Sequence, residues 1–87
     1  MKVIAKEVDM IACFTRGGDI KPIRFKLIDE EECEKVIKIN QVITKKLSKM
    51  AGMHTYIFNC FVLLNEIQML CEIRYEIDTC KWMLFKI

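Results

Sequence analysis

The chain has 87 residues, 53% of them hydrophobic, with 14 Lys plus Arg against 12 Asp plus Glu and a net charge of +2. That length holds one small domain, residues 1–87. A mean hydropathy of +0.19 with three Gly and one Pro excludes a disordered or collagen-like chain. The near balance of charge does not demand a nucleic acid or an anionic membrane as partner.

Period-2 patterning runs through the chain. Val8 to Thr15 reads as the first arm of a hairpin, because Arg16-Gly17-Gly18-Asp19 is a turn signal. In Ile23-Arg24-Phe25-Lys26-Leu27 the apolar residues point one way and Arg24 and Lys26 the other, which predicts a strand with one wet face. Pro22 stands at its start, where a missing N–H is tolerated.

Asp29 to Gly52 admits two readings. As a helix, Asp29 with Glu32 resembles a capping box and Gly52 closes the end. As strand, Asp29-Glu30-Glu31-Glu32 is an acidic hairpin loop and Val36 to Thr44 a β-rich run. Lys45 to Gly52 is then a loop or one short helical turn near 45–52. The β-branched content of Val36 to Thr44 favours strand.

Thr55 to Leu64 is apolar on both faces, as a central strand is, and Asn65-Glu66 follows as a tight turn without glycine. Ile67, Met69, Cys71, Ile73, Tyr75 and Ile77 then occupy every second position, with Leu70 the one defect. Asp78-Thr79-Cys80-Lys81 is a further turn and Trp82 to Ile87 the last strand. A five- or six-stranded antiparallel meander of this apolar content must curl into a small barrel or roll. Trp82, Phe85, Tyr75, Phe58 and Phe25 would supply most of the core volume.

The segment order resembles a family of small uncharacterised bacterial all-β proteins. The likeness is carried by Pro22-Ile23-Arg24-Phe25, by Cys71-Glu72-Ile73-Arg74-Tyr75-Glu76 and by the Trp82-containing terminal strand. It covers most of the chain after residue 20. It implies an all-β fold and supplies no catalytic residue. The glycine-free turn at Asn65-Glu66 departs from the Asn-Gly type expected there.

No chemistry-bearing constellation stands out. The five Cys (13, 33, 60, 71 and 80) include no close pair of the Cys-x₂-Cys kind that presents two metal donors from one turn. Cys60 and Cys71 fit buried apolar positions, and no metal or other cofactor is expected. His54 is the only imidazole and has no orienting partner in sequence. Cys80 beside Lys81 is the thiol expected to be exposed. Asp29 to Glu34 reads as a solvated turn rather than an acid–base pair. Gly17-Gly18 lacks any phosphate-loop context. No apolar run approaches the ~20 residues of a membrane helix, and the N-terminal residues carry no signal-like apolar stretch. A reducing, cytosolic setting without membrane attachment follows.

Two binding readings remain. A barrel this small has one interior, so Leu63, Leu70 and Met83 should lie outside and form a patch for a homodimer or another protein. The runner-up is a single-strand nucleic-acid face made by Arg16, Lys21, Arg24, Lys26, Lys45, Lys46 and Lys49. A net charge of +2 is weak for that role. The sequence therefore points to a non-enzymatic binding module.

Overall fold

Side chains two apart share one face of a strand, and this chain sustains that alternation almost from end to end. A computed structural model describes residues 1–87. The alternation becomes six strands: β1 (Val3–Phe14), β2 (Ile20–Ile28), β3 (Glu34–Met50), β4 (Met53–Leu64), β5 (Ile67–Glu76) and β6 (Lys81–Lys86). Each pairs antiparallel with the next, and β1 pairs with β6, so the meander closes into a barrel. Lys2 and Ile87 seal the join by exchanging backbone hydrogen bonds of 2.8 and 3.0 Å.

The core is one cluster. Phe25 of β2, Ile37 and Ile39 of β3, and Phe58, Cys60 and Val62 of β4 point inward. Cys71, Ile73 and Tyr75 of β5 and Trp82 and Leu84 of β6 complete it. Four rings are linked within the core: Phe58 stacks on Trp82 at 5.7 Å, Trp82 lies 4.6 Å from Tyr75, and Tyr56 flanks Phe58 at 6.3 Å. Phe85 departs from the expected core set. Trp82 and Leu84 take the inner face of β6, so alternation sets Phe85 on the outer one, and the register shift between Glu72 and Ile73 leaves it without a cross-strand partner. It is half-buried, and the Arg74 guanidinium sits 3.5 Å from its ring centre.

Four further expectations are corrected by the structure. Residues 45–50 form no helical turn: β3 runs as strand to Met50, and Ala51-Gly52, both at positive φ, reverse the chain in two residues. Ile23 does not share the inward face of Phe25. The β1–β2 register slips between Ile11 and Ala12, so Ile23 is a bulge, 43% exposed, and Pro22 turns inward and is buried. Ile67, paired with Leu64 at the barrel rim, is 64% exposed. The first strand also begins at Val3 rather than Val8.

Asp29 builds the acidic turn before β3, its Oδ1 accepting the Glu31 and Cys33 N–H groups at 2.9 Å each. That turn and Asn65-Glu66 lie at the end of the barrel that carries the chain termini. The β1–β2, β3–β4 and β5–β6 turns lie at the opposite, distal end.

Candidate functional site

The barrel is laced shut at the terminal end and split at the distal end. The β2–β3 ladder runs from Ile28↔Glu34 only to Arg24↔Lys38. Beyond it, Ile39 to Met50 pair with β4 on one side and have no β2 partner on the other. The residues explain the break. Pro22 has no N–H to offer a ladder, Ile23 is a bulge, and β3 slips register around Asn40 and again around Ile43. The strands part around a groove of about 430 Å³. Its apolar lining comes from Ile20, Pro22, Ile23, Ile39, Val42 and Phe58. Lys21, Lys45 and Asp19 are the charged residues at its walls.

One ion pair bridges the split. The Lys45 ammonium donates to Asp19 Oδ1 at 2.8 Å and also lies 4.6 Å from the Tyr56 ring centre. The Ile20 N–H donates to the same oxygen at 2.9 Å. The Lys45 hydrogen bond, then the Ile20 N–H, holds the Asp19 carboxyl below the usual carboxylate range. The pair is therefore present at neutral pH and is lost only as pH falls through that lowered value.

A second split lies between β1 and β6. Their pairing ends at Val8↔Trp82, because β6 begins at Lys81 while β1 continues to Phe14. The Phe14 ring meets Tyr75 edge-on at 5.9 Å across this split. The resulting open groove, of about 840 Å³, is lined by Val8, Met10, Phe14, Tyr75 and Trp82 with Cys80 beside them. The Cys80 thiol and burial together hold the Tyr75 hydroxyl above its ordinary range.

The seven basic residues do not converge. Arg24 and Lys26 share the outer face of β2, where Lys26 is 3.9 Å from Asp9 and 3.6 Å from Glu34. Lys45 is engaged by Asp19. Lys45 and Lys46 are successive strand residues on opposite faces of β3, and Lys49 lies near its tip. Arg16 is in the β1–β2 turn, and Lys21, on β2, pairs with Cys13 of β1. Lys38, directly opposite Arg24, is a cation that the sequence reading missed. The split itself was also missed, although Pro22 within a strand was its signal.

Two of the three surplus apolar residues converge, Leu63 and Leu70, whereas Met83 stands apart from them opposite Arg74 and Glu7. On the outer face of β4 and β5, Phe61 lies opposite Leu70, and Leu63 follows one pleat along. Leu63 and Leu70 are each 41% exposed, while Phe61 and Met83 are half-buried. The sulfurs are dispersed: Cys60 and Cys71 oppose each other in the core, and Cys13, Cys33 and Cys80 are exposed on separate elements. The neighbouring Cys71 thiol and burial push the Cys60 thiol up, away from a nucleophilic state. His54 pairs with Lys49 near the β3–β4 tip, where its carbonyl accepts the Ile77 N–H at 3.0 Å.

No helix is long and apolar enough to cross a membrane. Comparison of the chain with protein-family models, curated proteins and solved structures finds no match.

Proposed function

We propose that this chain is a non-enzymatic protein-interaction module that self-associates through the outer face of β4 and β5. The observation that carries the reading is the Phe61–Leu70 pair with Leu63 beside it, an apolar ridge on the side of the barrel away from its core. Removing such surface from water yields about 25 cal/mol per Å², and each of the two leucines keeps 41% of its surface in solvent. The dispersal of the basic side chains, two of them already paired with carboxylates, favours a protein partner over a nucleic acid. Five free thiols fit a reducing, cytosolic setting.

Sedimentation from low to high micromolar concentration tests this. The wild-type chain is expected to form a concentration-dependent dimer, and Leu63→Glu with Leu70→Glu to hold the monomer while keeping the circular dichroism of the fold. A wild-type chain that stays strictly monomeric at high micromolar concentration overturns the reading.

A further inference from the structure

The split between β2 and β3 joins three features that together describe a binding site. The first is a strand edge: β3 from Ile39 to Lys45 lies alongside β2 without a ladder partner, so its outward backbone groups are free to bond to another chain. The second is an apolar floor formed by the half-buried Ile20 and Val42, with the exposed Ile23 beside them. The third is charge. Lys21 and Lys45 flank the groove, and Asp19 is the one carboxylate at its walls.

We propose that this split accepts an extended acidic peptide segment, which adds as a strand to the edge of β3. At ~3.3 Å per residue, Ile39 to Lys45 matches a segment of about six residues. Alternate side chains of the guest would face the apolar floor, and its carboxylates would meet Lys21 and Lys45. A second copy of this chain is a poor occupant, because its own edge from Ile39 to Lys45 carries no carboxylate to meet Lys21 and Lys45. Asp19 already occupies Lys45 as an incoming carboxylate would, so the internal ion pair competes with the guest. This site is separate from the β4–β5 ridge, and its occupation does not depend on self-association.

The test uses capped hexapeptides on the full chain at low salt. One alternates Glu and Val, a second alternates Lys and Val, and a third is the acidic peptide with alternate amides N-methylated. The acidic peptide is expected to saturate and to slow amide exchange at Ile39 to Lys45, while the basic and N-methylated peptides do not. Asp19→Asn should tighten binding and Lys45→Gln weaken it, each by about tenfold, the scale of one charged hydrogen bond. Both substitutions are at the surface, and thermal melting checks that the fold survives. The proposal is overturned if acidic and basic peptides bind alike, if N-methylation has no effect, or if no peptide saturates by millimolar concentration. Tighter binding of oligothymidylate at the same amides would also overturn it, since the cations would then serve a nucleic acid. The Leu63→Glu, Leu70→Glu variant should bind the acidic peptide as the wild type does, which separates this result from that of sedimentation.

Discussion

Two tight turns decide where β3 hands over to β4 and β4 to β5, and both need residues in the left-handed region. Ala51 and Gly52 have φ of 52° and 79°, and Asn65 and Glu66 have φ of 50° and 64°. A two-residue turn with positive φ at both positions matches the twist of the strands it joins. Asn tolerates that conformation, but Ala and Glu pay for a Cβ there. Glu66→Gly should therefore raise the unfolding free energy by about 0.5–1 kcal/mol, read as a higher urea midpoint at unchanged slope. The turn's position is legible in the sequence from Asn65 and from the pattern on either side. Its strain is not, because a Glu in that place gives no sign of the backbone it must adopt.

At the scale of strands, period-2 alternation locates the inward residues of β4 and β5, and Phe58, Cys60, Val62, Cys71, Ile73 and Tyr75 are buried. It fails where a bulge intervenes. A single extra residue inverts every later side chain of that strand, which is why Ile23 is exposed and Pro22 buried. Phe85 lies outside the core set by alternation itself, since Trp82 and Leu84 take the inner face of β6. The β6 bulge has an electrostatic companion. Glu72 is only 9% exposed, and its Oε2 accepts from Arg74 Nε at 2.8 Å while the guanidinium rests on Phe85. Arg74→Ala leaves that carboxylate poorly solvated and unpaired. It should cost about 1–3 kcal/mol in chemical denaturation, and adding Glu72→Gln should recover part of the loss.

For the whole molecule, composition and alternation fix an all-β meander, and the apolar content forces closure. The splits at the distal end depend on what a pattern of apolar and polar residues does not encode. They arise from a proline that cannot donate, from bulges at Ile23, Asn40 and Ile43, and from the unequal lengths of β1 and β6. The basic residues are all visible in the sequence, yet whether they gather depends on strand register, and the register disperses them. The apolar ridge was more legible, since a strand with two apolar faces in a small barrel must turn one of them outward. The placement of the sulfurs gives the chain a built-in gauge of its own opening. Cys13, Cys33 and Cys80 should react with a maleimide at once, whereas Cys60 and Cys71, fully enclosed between β4 and β5, must wait until the barrel comes apart. Intact mass spectrometry during labelling should therefore show three fast adducts, then two more that appear together at the rate of global unfolding.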